Sequence, residues 1–315
     1  LEGNVIDGKY QVTEKLGEGG MGAVYKARHL MLNNDIALKV MHPQHAQDLT
    51  FKTRFQREVK VMMTFVHSNA VTVRDYGLSN NGLLYMTLDF SAGKPLKALI
   101  NDKAPLSYQR ALEIGKQILS ALAAGYKKGI VHRDIKPDNI LIEKDEGQDF
   151  VKVLDFGIAK IMDRNDEQGP DKPGLTGSLV IGTPHYMSPE QANGEKIDQR
   201  ADLYAVGCVL YEMLSGKKVF EGTTVMQTLM AHVSQPVIPL IERVPQLDIP
   251  QSVNRLVNKA LAKEADNRFS SANDFIAEIN TILGGQAAQS SVVVDSGTIM
   301  ADVDSGTIMA EVELD

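Results

Sequence analysis

The segment His132-Arg133-Asp134-Ile135-Lys136-Pro137-Asp138-Asn139 packs five ionisable side chains and an Asn into eight positions. A carboxylate, an ammonium and an amide oxygen held this close can take a proton, steady an anion and ligate a hard cation. A further carboxylate, Asp155, opens Asp155-Phe156-Gly157 directly after the apolar run Val151 to Leu154. Together with Asn139 it offers the oxygen ligands that Mg²⁺ prefers, with Mn²⁺ as the alternative hard ion, and phosphate and water would complete the octahedron. His132 reads as a packing residue, because Asp134 already fills the role of base.

Upstream, Gly17-Glu18-Gly19-Gly20-Met21-Gly22-Ala23-Val24 fits G-x-G-x-x-G-x-V. Glycines there let backbone amides approach phosphates with no Cβ in the way, although a plain Gly-rich hairpin turn has the same composition. A dinucleotide site would need a helix opening at the third glycine. Ala23-Val24-Tyr25 instead continues as a strand, which predicts a hairpin lying over phosphates. In Ile36 to Met41 the alternation puts Ala37, Lys39 and Met41 on one face, where the Lys is anomalous. It is either an edge-strand Lys facing water or the partner of Glu58, which lies on the apolar face of the next helix and needs a cation if half-buried. A Lys39–Glu58 pair would hold the ammonium toward the phosphates. The combined chemistry is phosphoryl transfer, with Asp134 receiving the incoming hydroxyl, Lys136 on the γ-phosphate and Asn139 and Asp155 on the metal.

The elements that must position these groups divide the chain in two. Tyr10 to Tyr25 and Asp35 to Met41 read as short strands, and Phe51, Phe55, Glu58 and Met62 mark one face of a helix within 48–65. Ala70 to Tyr76 and Leu83 to Phe90 flank the turn Ser79-Asn80-Asn81-Gly82 and form a hairpin. The first lobe ends near Gly93. Beyond it, Ser107 caps a helix carrying Ala111, Ile114, Ile118 and Leu122 that Gly129 stops. Asp202 to Leu214 is apolar nearly all round, which predicts a helix at the centre of a domain, ended by Gly216. Between these helices lie a short segment around Ile140 to Ile142, a short strand expected at Phe150 to Leu154, and a mobile polar stretch from Asp163 to Gly174.

Composition narrows the functional classes. The chain has 315 residues, 33 Lys plus Arg against 40 Asp plus Glu, and one Cys. A disulfide framework is excluded, and a reducing compartment fits. Six of the acidic residues (Asp295, Asp302, Asp304, Glu311, Glu313 and Asp315) fall in 286–315, which holds no Lys or Arg. The remaining body is near neutrality, without the basic excess of a nucleic-acid binder. No stretch reaches the roughly 20 apolar residues of a membrane span, and the N-terminus lacks the pattern of a signal peptide. The tail repeats Asp-Ser-Gly-Thr-Ile-Met-Ala at 295–301 and 304–310, and reads as disordered.

The ordered set of Gly-rich loop, Lys39, Glu58, His132-Arg133-Asp134 with Asn139, Asp155-Phe156-Gly157 and Ser188-Pro189-Glu190 resembles the eukaryotic-type protein serine/threonine kinases. His185-Tyr186-Met187-Ser188-Pro189-Glu190-Gln191 is similar to their bacterial members in particular. The resemblance covers roughly residues 8–283 and leaves 284–315 as an acidic tail. It implies an α+β, two-lobed protein kinase fold: a β-rich N-lobe over about 8–90 with one regulatory helix, and a mainly helical C-lobe over about 94–283. It implies ATP held by the loop from Gly17 to Val24, with adenine between Leu16, Val24, Ala37 and Leu141 and a hinge at Asp89 and Phe90 after gatekeeper Leu88. Met62, Val73, His132 and Phe156 would stack as a spine based on Asp202, and Arg268 would pair with Glu190. Lys136 and Thr183, the latter contacting Asp134 and Lys136, imply Ser/Thr specificity. Pro95 stands where basophilic relatives carry a Glu, which leaves Asp138 a weaker candidate for reading a basic residue. Ser188 and Ala205 depart mildly from the commoner Ala and Ser.

Arg133 beside Asp134 resembles the arrangement of kinases switched on by loop phosphorylation, with Thr176 and Ser178 the acceptors of choice. Thr298 and Thr307 in the tail are further acceptor or pseudosubstrate candidates. The expected function is transfer of the ATP γ-phosphate to Ser or Thr of proteins, the chain itself included. Its location would be cytoplasmic, alone or as the kinase part of a longer protein, with no nucleic-acid or membrane contact from this segment. The alternative is a catalytically silent kinase-fold binding module. A small-molecule kinase is disfavoured by the peptide platform implied at 182–190.

Overall fold

The computed structural model describes residues 1–158, Ile161 and 183–292, with side chains described to Gly284. Thr176, Ser178, Thr298, Thr307 and the stretch from Asp163 to Gly174 lie outside the described residues. The first lobe is built from β1 (Val5–Ile6), β2 (Tyr10–Gly19), β3 (Gly22–His29), β4 (Asn34–Met41), β5 (Val73–Leu78) and β6 (Leu84–Asp89), with α1 (Pro43–Gln47) and α2 (Leu49–Met63) inserted after β4. The strands form one antiparallel sheet in the order β1-β2-β3-β4-β6-β5.

The two-residue period of β4 decides what each face does. Ile36, Leu38 and Val40 pack on one side with Tyr10, Val12 and Tyr85. The opposite face carries Ala37, Lys39 and Met41, and there Met41 packs with Phe51, Phe55, Val59 and Met62 of α2. Asp48 starts α2 by accepting from the Thr50 and Phe51 amides at 2.9 and 3.1 Å, which satisfies donors a helix start leaves open.

The second lobe holds β7 (Lys94–Pro95), α3 (Leu96–Lys103), α4 (Tyr108–Tyr126), β8 (Ile140–Asp145), β9 (Gln148–Val153), α5 (Pro189–Asn193), α6 (Gln199–Ser215), α7 (Val225–Ser234), α8 (Leu240–Arg243), α9 (Gln251–Ala260) and α10 (Ala272–Val292). Strands β7, β8 and β9 make a small antiparallel sheet. α4 is capped by Ser107 and buries Ala111, Ile114, Ile118 and Leu122 as the spacing predicts. It ends at Tyr126, and Gly129, at φ 71°, turns the chain so that the Ile130 amide returns to the Gly125 carbonyl.

Helix α6 is the axis of this lobe, with every residue from Ala201 to Ser215 buried and Gly216 in the left-handed region at its end. Each of its fully buried leucines contributes about 1.5–3 kcal/mol by leaving water. Gly207 lets α9 approach, since a Cβ there would stand 2.9 Å from the Ala260 Cβ. The lobes join where the Val71 and Val153 amides bond to Val153 and Asn69 carbonyls, both at 2.9 Å. Helix α10 runs to Val292, past the boundary at 283 expected from the sequence. Among the described residues no helix is long and apolar enough to cross a membrane.

Candidate active site

The segment 130–139 is held from below by α6. Asp202, 1% exposed, accepts from the His132 and Arg133 amides, both at 2.8 Å, and from the Tyr126 hydroxyl at 3.1 Å. Burial raises its pKa, and the two amide bonds oppose that rise. His132 is fully buried, with Nε2 2.7 Å from the Leu154 carbonyl and Nδ1 accepting from the Asp134 amide at 3.3 Å. Both ring nitrogens are used in fixing the loop, which is the packing role read from the sequence. Arg133 sits at φ 68° and Asp155 at φ 58°. Non-glycine residues in this region carry backbone strain that persists only where the surroundings enforce it.

Asp134 is the meeting point. Lys136 Nζ reaches its Oδ2 at 2.8 Å, and Asn139 Nδ2 donates to the same oxygen and to the Asp134 carbonyl, both at 2.9 Å. Among the described residues Asp134 Oδ1 carries no hydrogen bond, so it is the oxygen open to an incoming hydroxyl. Asn139 donates only through Nδ2, and among the described residues its Oδ1 makes no hydrogen bond. Among the described residues Asp155 Oδ2 is taken by Lys39 and Oδ1 carries no hydrogen bond. Two hard oxygens of this kind fit Mg²⁺, which keeps water and substrate phosphates in its shell and needs no protein cage. Among the described residues no group of three or more His, Cys, Asp or Glu forms one.

Over the cleft, Gly19 pairs with Gly22 across the turn Gly20-Met21, so the Gly-rich segment is a hairpin between β2 and β3 and no helix follows it. Gly22, at φ 155°, lies so close to β4 that a Cβ would meet the Val40 carbonyl oxygen at 2.0 Å. Gly17, Gly19 and Gly20 face open space, room that a phosphate needs. Glu18 is exposed and paired with Lys15, and Met21 packs beside the α2 cluster. Across the sheet Lys39 stands opposite Val24 and Met86, and Ala37 opposite Leu88. Leu88 is buried, Val24, Ala37, Ala23 and Leu141 are half-buried and Leu16 is exposed. At the hinge, Arg74 grips the Asp89 carboxylate at 2.6 and 2.9 Å and Lys26 lies 4.8 Å above the Phe90 ring.

The expected Lys39–Glu58 pair is not the contact observed. Lys39 Nζ lies 2.8 Å from Asp155 Oδ2, and the buried Glu58 meets Arg57 Nε at 3.0 Å. The reason lies beside α2. Ile158 and Ile161, 2% and 1% exposed, pack into the same cluster as Phe55, Val59 and Met62, and Arg54 Nη1 holds the Ile161 carbonyl at 3.2 Å. Of the four residues expected to stack as a spine, His132 meets Phe156 edge-on at 4.9 Å, with Phe65 at 4.7 Å on Phe156, and Met62 and Val73 pack with Phe55 and Val59 of α2.

Below the cleft, Arg268 forms a bidentate pair with Glu190 at 2.7 and 2.8 Å, with its own side chain fully buried. Burial would raise the Glu190 pKa, but the guanidinium overrides it and holds the carboxyl below its usual value. Arg133 is tied to α5 through its carbonyl, which accepts from Gln191 Nε2 at 3.0 Å. Thr183 is half-buried at the start of the 3₁₀ turn Pro184–Tyr186. Among the described residues it makes no hydrogen bond to Asp134 or Lys136, the two residues that the resemblance has it contact. Sequence reasoning missed the Arg74 clamp and the contact of Lys97 with Glu212 at 2.9 Å. Both join residues far apart in the chain with no local signal.

The chain matches the family described as protein kinase domain over residues 10–279. It is 40% identical over 282 residues to the serine/threonine-protein kinase pkn3 of Myxococcus xanthus, covering 89% of this chain and 51% of that protein. Against the serine/threonine-protein kinase PrkC of Bacillus subtilis the identity is 36% over 281 residues, covering 89% of this chain and 41% of that one. The chain thus spans about half the length of these relatives, or less. Among solved structures, the kinase domain of Mycobacterium tuberculosis PknI superposes with a TM-score of 0.67 at 26% identity, covering 90% of this chain and 99% of that one. With its β-rich first lobe, helical second lobe and motifs in order, the chain belongs to the protein kinase domain family.

Proposed function

We propose that this chain transfers the γ-phosphate of ATP to Ser and Thr hydroxyls of proteins, its own included, with Mg²⁺ as the working ion. The catalytic unit is 8–283, with 284–315 as an appended tail, and its setting is the cytoplasm, alone or within a longer protein. The observation that carries the reading is the Asp134 arrangement: Lys136 and Asn139 converge on one carboxylate oxygen and leave the other open.

In the step proposed, the acceptor O–H bond breaks and its proton goes to Asp134 Oδ1. The acceptor oxygen bonds to the γ-phosphorus, and the bond to the bridging oxygen breaks to release ADP. Lys136 stabilises charge on the transferring group, and Lys39 the phosphates behind it. Asn139 and Asp155 would hold Mg²⁺, which supplies neutralisation of phosphate charge when bound. Leu16, Val24, Ala37 and Leu141 line the adenine site, and Asp89 and Phe90 offer backbone groups to it. Arg133 is the anchor proposed for a phosphate on Thr176 or Ser178.

The test is incubation with labelled ATP, Mg²⁺ and a protein acceptor, followed by phosphoamino-acid analysis. Label on phosphoserine and phosphothreonine supports the reading. Label confined to tyrosine or to small molecules, or none while ATP is bound, contradicts it.

A further inference from the structure

A buried carboxylate lies beside the loop that carries Thr183, and the transfer chemistry does not use it. Glu212 on α6 has a side chain 4% exposed and pairs with Lys97 Nζ of α3 at 2.9 Å. Its other oxygen accepts from the Tyr186 hydroxyl at 2.5 Å. Tyr186 is itself buried, and burial together with the Glu212 bond pushes its phenol well above the usual range. Three elements therefore close on one carboxylate: α6, the turn at 184–186, and α3, which packs against the turn Pro137–Asn139 that ends the catalytic segment.

A carboxylate this far from water needs a cation. Lys97 supplies it with a side chain 30% exposed, so the ammonium stands between Glu212 and solvent. The neighbouring Glu221 is matched in the same way, with Lys218 Nζ at 3.3 Å from Glu221 and from His185 Nε2. Pro95, two residues before Lys97, brings no carboxylate of its own.

We infer that Lys97 is a specificity-determining residue. It occupies, from within the chain, the place on Glu212 that a basic side chain of a peptide lying along 183–187 would take, and so relieves the site of any demand for Arg or Lys in its substrates. The inference rests on the proposed transfer to protein hydroxyls, with the loop at Thr183 carrying the acceptor peptide.

The test uses the full chain and peptides with one Thr acceptor, in which a single Arg replaces Ala at each upstream position in turn. The proteins are the wild type, Lys97→Met, which keeps the apolar stem and loses the charge, Lys97→Arg, and Lys97→Met combined with Glu212→Gln. Lys97→Met should lower KM about tenfold for one Arg position, about 1.4 kcal/mol. Wild type, Lys97→Arg and the double variant should show no such preference. A flat Lys97→Met profile with transfer retained would overturn the inference and leave the function standing. So would an equal fall of kcat on every peptide, which marks a group that only holds the loop. Absence of transfer by the wild type to any peptide or protein, with ATP bound, would overturn the function and the inference with it.

Discussion

Lys39 Nζ lies 2.8 Å from Asp155 Oδ2, joining the middle of the first-lobe sheet to a carboxylate two residues past the end of β9. The ammonium is thereby aimed at the carboxylate proposed to hold Mg²⁺, although Glu58 is engaged with Arg57. Lys39→Met should lower transfer by about 10²-fold or more, because misplacing a reacting phosphate by an ångström costs that much. Steady-state kinetics beside a nucleotide titration check it, with binding of ATP retained.

The glycines of the Gly17–Gly22 hairpin, proposed to cover the ATP phosphates, should separate fold from function. Gly22→Ala would force a Cβ onto the Val40 carbonyl, 2.0 Å away, at a φ of 155°. It should lower stability by about 1–3 kcal/mol, read as a drop in urea midpoint. Gly19→Ala meets nothing within 4 Å, so its stability should stay near wild type while KM for ATP rises.

Most of the positioning was legible because it is periodic or local. The alternation of Ala37, Lys39 and Met41, the Ser107 cap and the apolar span of α6 each follow from neighbours within a few residues. The Lys39–Glu58 pair failed as an expectation because its outcome depends on Ile158 and Ile161, about 100 residues further on, packing beside α2. Local pattern cannot report competition between distant segments for one apolar surface. The Lys97–Glu212 pair was hidden for the same reason.

The Arg268–Glu190 pair locks α5 to the base of the second lobe. Arg268→Met leaves a largely buried carboxylate uncompensated and should cost about 3–5 kcal/mol in chemical denaturation. Because Arg268 depresses the Glu190 pKa, the pair's contribution is present at neutral pH and is lost as pH falls below the ordinary Glu value of 4.5.

His232 predicts a second acid sensitivity at higher pH. Burial and then Lys263 lower its pKa from 6.5 to about 3, and the Tyr204 hydroxyl lies 2.8 Å from its Nδ1. The unfolded chain takes up a proton near 6.5 that the folded chain refuses, so stability falls as pH drops below that value. The slope approaches about 1.4 kcal/mol per pH unit for one proton. His232→Gln should flatten this part of the profile, measured by thermal denaturation across pH 4–7.

The most direct test of the account is Asp134→Asn, which preserves shape and removes the carboxylate on which Lys136 and Asn139 converge and which is proposed to take the proton. Transfer of labelled phosphate to a protein acceptor should fall by about 10²–10⁴-fold, with ATP affinity in the wild-type range. Wild-type rates in Asp134→Asn would contradict the assignment of this carboxylate as the catalytic base.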